Sequence, residues 1–193
     1  KMKKKILIST GGSGGHVIPA TILYDHLSKI NEVIISTDKR GSRYLDNKAY
    51  KIKIIDTPRL NNIFLLPLNF VIILVQVIKS FFFLRRKKIN LIFSTGGYMS
   101  LPLILAGKFL GIKIYLLEPN LVLGRVNKLF LNSCEKIFCY SEKIKNFPDD
   151  LKYKIVIINP LVSKNIYKLN SISVVKKSKF TILVVGGSQG ANI

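Results

Sequence analysis

The 193-residue sequence has no tryptophan, little alanine, two cysteines, two histidines and only ten acidic residues against 31 basic ones. Each shortage removes a class of explanation. Cys134 and Cys139 cannot supply a disulfide framework or a four-cysteine zinc site, so both are expected to be buried thiols. No His, Asp, Glu and Cys cluster has metal-ligand spacing, so no metal is expected, and no cofactor is assigned. The apolar run Ile6, Leu7, Ile8 behind Lys3 to Lys5 is far too short for the core of a signal peptide, which predicts a cytoplasmic start. GxxxxGK[ST] is missing, so a P-loop nucleotidase is not indicated. GxGxxG fails as well, because Val17 stands where the third glycine would be. The scarcity of acid leaves a formal net charge of +21, which favours an anionic partner, whether nucleic acid, acidic lipid or phosphorylated substrate. Heavy use of lysine, isoleucine and asparagine makes part of that excess compositional, and charge alone does not choose among the three.

The residues that are present organise around positions 6–20, ILISTGGSGGHVIPA. A short apolar run suits a parallel strand covered on both faces. Gly11, Gly12, Gly14 and Gly15 then allow a tight turn, and a helix is expected from Val17 to Ile30 with Pro19 in its first turn. Free N–H groups at that helix start would suit a phosphate. His16 stands at the junction, where an imidazole can meet an anion or accept a proton.

Strands are expected at 33–36, 52–55, 91–93, 112–117, 137–140 and 154–158, with helices at 100–110 and 123–131 between them. The alternation predicts an α/β fold, a Rossmann-like, doubly wound parallel sheet. Ligands bind such sheets outside the carboxyl ends of the strands, so the loops starting at Gly11, Gly96 and Glu118 should share one edge. From Ile63 to Leu84 the chain is apolar enough for a membrane span. However, Asn62, Asn69, Gln76, Ser80 and Lys87 fall on one helical stripe, which predicts a helix packed on the sheet and wet along that edge. Arg85, Arg86, Lys87 and Lys88 close it with a basic cluster. Residues 1–160 are read as one domain and 161–178 as a linker. Residues 179–193 are read as the first strand and glycine loop of a second Rossmann-like domain, cut short.

Five motifs in order, GGSGGHVIPA at 11–20, GGYMS at 96–100, EPN at 118–120, GRVNK around Asn127 and VVGGSQGA at 184–191, carry a resemblance. The sequence resembles the bacterial peptidoglycan glycosyltransferases that add N-acetylglucosamine to undecaprenyl-diphospho-muramoylpentapeptide, converting lipid I to lipid II. The resemblance implies two Rossmann-like domains facing a cleft, the GT-B arrangement, with the acceptor lipid on the N-terminal domain and most of the UDP-sugar on the C-terminal one. It implies an inverting hexosyltransferase on the cytoplasmic face of the cell membrane, bound peripherally. The partners it implies are UDP-N-acetylglucosamine and lipid I. The residues themselves, through the apolar surface of Ile63 to Leu84 and the cluster Arg85 to Lys88, predict contact with an anionic membrane surface; no nucleic acid is expected. The resemblance assigns catalytic roles to His16, Tyr98 and Glu118. Substrate contacts fall to Ser13, Gly14, Gly15, Gly96, Gly97, Asn120, Asn127 and Ser188, with no metal ligand. Two departures stand out: Leu117 where the family commonly has histidine, and Val162 where an arginine is usual. With most of the donor domain missing, the 193 residues alone are expected to be inactive.

Two other classes compete with this one. A Rossmann-type nucleotide-binding oxidoreductase would use Asp38 as the acid after the second strand. A noncatalytic membrane-surface module would need only the apolar helix and its basic flank.

Overall fold

The computed structural model describes residues 3–58 and 66–163, with Ile166 and Ile182 besides. The expected linker and second-domain start therefore lie almost wholly outside the described residues. Seven parallel strands form one sheet: β1 (Lys5–Ser9), β2 (Glu32–Thr37), β3 (Ile52–Ile54), β4 (Leu91–Ser94), β5 (Lys113–Glu118), β6 (Lys136–Cys139) and β7 (Ile155–Ile157). Their order is β3-β2-β1-β4-β5-β6-β7. The winding changes direction between β1 and β4, which pair directly, and that is where an open α/β sheet leaves a crevice beyond its carboxyl ends.

Alternate residues of each strand feed two cores, as a period of two dictates. Ile6, Ile8, Phe93 and Leu117 pack with Val17 and Ala20 of α1 (Gly14–Leu27). Leu7, Ile92, Leu116 and Ile137 pack with residues of three further helices, α2 (Leu66–Lys87), α3 (Leu101–Phe109) and α4 (Arg125–Phe130). Cys134 and Cys139 are free and buried, as the sequence predicts. Past α4, buried Lys154 donates from Nζ to the carbonyls of Leu131, Asn132 and Cys134 at 2.8, 3.0 and 2.7 Å. A cation there answers the unpaired carbonyls where a helix ends.

Two expectations are corrected. Helix α1 begins at Gly14 and not at Val17, so His16 lies in its first turn and Pro19 in its second. Two glycines hide that start, since glycine is a poor helix former. Pro19 leaves the Gly15 carbonyl without its helical donor, and Gly15 is exposed, so water can take that bond.

The second correction concerns α2. Its polar stripe was expected to be wet, yet Asn69 and Ser80 are buried and Gln76 reaches inward to the Asp56 carbonyl at 3.4 Å. Asn69, Ile73, Ser80 and Leu84 share the inward face, leaving Phe70, Val71, Leu74, Ile78 and Phe82 exposed. Phe70 is 68% and Phe82 64% exposed, whereas Phe81 and Phe83 are half-buried. The stripe turns inward at Asn69 and Ser80, opposite to the expectation, while Lys87 is exposed as expected and Asn62 lies outside the described residues; much of the helix's apolar surface is the outer one. By length and composition α2 could cross a membrane, and only 22% of its apolar window is buried.

Candidate functional site

At the switch point the loops after β1 and β4 touch. Gly96 and Gly97 have φ of +91° and +89°, a region that side chains with a Cβ rarely occupy. A Cβ on Gly97 would lie 2.5 Å from the Gly11 Cα, so the two loops close only because neither carries a side chain. Beyond Gly11, Ser13 caps α1 with its backbone: its carbonyl accepts from the N–H groups of His16 and Val17, each at 3.0 Å. The N–H groups of Gly14 and Gly15 have no acceptor within the helix.

His16 sits between the loops. A Cβ on Gly96 would lie 3.2 Å from its Cε1, and one on Gly11 3.1 Å from its Cδ2. Its Nδ1 is 2.7 Å from the Thr95 carbonyl. A carbonyl can only accept, so Nδ1 carries the proton and the neutral ring keeps its lone pair on Nε2. The Thr95 hydroxyl donates back to the His16 carbonyl at 3.0 Å. The ring is thus fixed in position and in tautomer.

The third loop is built around Glu118, 2% exposed at the end of β5. Its Oε1 accepts from the Asn120 backbone N–H at 3.2 Å and from Asn120 Nδ2 at 3.0 Å. Its Oε2 accepts from the Gly124 N–H at 2.7 Å and from Asn127 Nδ2 at 3.0 Å. Four donors on one buried carboxylate satisfy its usual lone-pair capacity. Asn127 also donates to the Leu117 carbonyl at 3.0 Å, which orients its amide, and its buried Oδ1 is left without a partner. Cys139 pairs with Glu118 across β5 and β6. Burial first, then that carboxylate, pushes the Cys139 thiol up to about 12.

These groups enclose a cavity of about 240 Å³ bounded by His16, Gly96, Gly97, Tyr98, Glu118, Asn120 and Asn127, with exposed Arg125 at its side. Seven of the residues expected to form the site therefore come together. Ser13, Gly14 and Gly15 form the start of α1 and do not line the cavity, and Ser188 lies outside the described residues. Sequence reasoning missed Thr95 and Gly124 because the Thr95 carbonyl and the Gly124 N–H, which hold His16 and Glu118, leave no signature in residue type. Arg125 falls within the helix expected at 123–131 and the GRVNK motif, neither of which assigns it a role.

Two further residues bear on the alternatives. Asp38, the acid an oxidoreductase would need, is buried and committed: Oδ1 accepts from the Gly41 N–H at 2.8 Å and Oδ2 from Arg40 Nε at 2.9 Å, with Gly12 packed against the carboxylate. Leu117, where a histidine was expected from the resemblance, is fully buried in the α1-side core.

The family model described as the glycosyltransferase family 28 N-terminal domain matches residues 6–139. A UDP-N-acetylglucosamine--N-acetylmuramyl-(pentapeptide) pyrophosphoryl-undecaprenol N-acetylglucosamine transferase from Pelagibacter ubique is 51% identical over 195 residues, 100% of this chain and 54% of its own length. A protein of the same name from Rickettsia felis is 37% identical over 199 residues, 98% of this chain and 54% of its own length. The chain thus spans about half the length of the curated relatives it matches. In fold it is similar to the crystal structure of MurG from Acinetobacter baumannii, with a TM-score of 0.72 and 23% identity, covering 97% of this chain and 53% of that one.

Proposed function

The chain belongs to glycosyltransferase family 28 through its N-terminal domain, and on that premise we propose that it forms the acceptor-binding half of an inverting hexosyltransferase. The reaction moves N-acetylglucosamine from UDP-N-acetylglucosamine to undecaprenyl-diphospho-muramoylpentapeptide. The observation that carries this reading is His16, held at the edge of the cavity by the contact of its Nδ1 with the Thr95 carbonyl.

In this reading His16 Nε2 takes the proton of the muramoyl 4-hydroxyl as its oxygen attacks the anomeric carbon. The bond from that carbon to the diphosphate breaks, and UDP leaves from the opposite face, inverting the centre. The unpaired N–H groups at the start of α1 and Arg125 supply positive potential to the anionic groups on this edge. Asn127 Oδ1 is an acceptor for a sugar hydroxyl or amide, and Tyr98 offers its phenol. Glu118 is assigned a positioning role, since all its hydrogen bonds go to the loop that presents Asn120 and Asn127.

The same proposal puts the protein at the cytoplasmic face of the membrane, held by the exposed face of α2 and by Arg85, Arg86, Lys87 and Lys88. The start of the expected apolar segment, residues 63–65, lies outside the described residues. The test is transfer of radiolabelled N-acetylglucosamine by a full-length protein containing this segment. His16→Ala should lower its kcat by about 10²-fold or more with folding unchanged. Full activity in that variant would remove His16 from the chemistry.

A further inference from the structure

Between β3 and the C-terminal half of α2 runs a groove that the transfer reaction leaves unused. Two adjoining hollows of about 740 and 330 Å³ share Lys53 and Phe83. The larger reaches Glu32 and Lys51, near the amino ends of β2 and β3, on the opposite edge of the sheet from His16. Five cations line the pair, Lys51, Lys53, Lys79, Arg86 and Lys87, against two acids. Both acids are already engaged: Glu32 with Lys5 at 3.6 Å and Lys51 at 4.0 Å, and Asp56 with Lys39 at 3.4 Å. Among the described residues, no carboxylate pairs with Lys53, Lys79, Arg86 or Lys87. Lys53 Nζ stands 5.6 Å from the centre of the Phe83 ring, which keeps the ammonium over the groove.

Two more observations narrow the ligand. Ser80 lines the smaller hollow at 1% exposure, and its hydroxyl has no hydrogen-bond partner. A buried donor in that state calls for an acceptor. Phe82 lines the larger hollow and is 64% exposed, continuing the apolar outer face of α2 through Ile78, Val75, Leu74 and Val71. A ligand that satisfies both surfaces is an anion carrying an apolar tail.

We propose that this groove seats the phosphate of an anionic glycerophospholipid, with its acyl chains against the outer face of α2. The inference rests on the membrane reading above and goes further. Diffuse attraction treats every surface cation alike, whereas a seat distinguishes those lining the groove from their neighbours.

The test compares two double variants of equal charge change, Lys53→Glu with Arg86→Glu inside the groove, and Arg85→Glu with Lys88→Glu outside it. Co-sedimentation is measured with vesicles of phosphatidylcholine, with and without phosphatidylglycerol. The groove pair should lose about tenfold more affinity for the phosphatidylglycerol vesicles than the outer pair. Equal losses would overturn the seat and leave diffuse attraction standing. No binding of the unaltered chain to either vesicle would overturn the membrane reading and the seat with it. Monomeric dihexanoyl phosphatidylglycerol, titrated by calorimetry without vesicles, should bind saturably and lose its site in the groove pair. Tighter binding there of inorganic phosphate or of a polyprenyl diphosphate would overturn the assignment to a glycerophospholipid.

Discussion

At the carboxyl edge of the sheet the side chains hold one another. Glu118 takes four N–H donors, His16 is clasped twice by Thr95, and Gly11 and Gly97 touch through backbone alone. On the outer face of α2, Phe70, Val71, Leu74, Ile78 and Phe82 stand in solvent. The first region depends on individual atoms, since removing one leaves others buried and unpaired. The second depends on total apolar area and charge, and any one residue is dispensable to the fold. Under the proposed function the first region positions reacting groups and the second meets a fluid partner, and each is built in the way its task requires.

The contrast is broken most directly at Glu118. Glu118→Ala should cost about 3 kcal/mol or more by leaving the donors of Asn120, Gly124 and Asn127 without their acceptor. Urea unfolding measures it, and an unchanged midpoint would mean that the carboxylate organises nothing. Next comes Gly97→Ala, with an expected loss of about 2 kcal/mol from positive φ and the collision with Gly11. Thermal melting reads this, and a wild-type melting temperature would show that the loops can part without cost.

A pH titration sharpens the same region. The folded Cys139 thiol is raised from 9.0 to about 12, so the unfolded chain releases that proton first as pH rises. The stability associated with the neutral thiol is complete below pH 9 and falls as pH climbs towards 12. Cys139→Ala should flatten that alkaline limb in denaturation curves. The smallest effect on stability is expected at the other region: Phe82→Ser should stay within about 0.5 kcal/mol of the parent while weakening attachment to vesicles. A large loss of stability there would mean that Phe82 is part of the fold after all.

The same division governs what the sequence discloses. Strand and loop positions were legible because buried parallel strands and glycine pairs are written in residue types. The meeting of the loops at Gly11, Gly96 and Glu118 follows from their all leaving carboxyl ends. The clasp on His16 was not legible, since the Thr95 carbonyl has no signature in sequence. Nor was the role of Glu118 as an organiser, because a carboxylate in a loop reads equally as acid, base or scaffold until its partners are seen. For α2 the periodicity named the residues sharing a face and left open which way the face points. Burial of Asn69 and Ser80 decides that.

Lys154 has a consequence for the site although it touches none of it. The helix that carries Asn127 is tied at its start through Gly124 to Glu118, and the turn after it is tied by Lys154 to three carbonyls. This wall of the cavity is clamped at both ends before any substrate arrives. The entropy of ordering it is therefore spent during folding, and under the proposed function a sugar would find the Asn127 acceptor already in place. Amide exchange at Lys128, Leu129 and Phe130, whose N–H groups have acceptors one turn back, should accordingly be slow, and should change little when ligand binds.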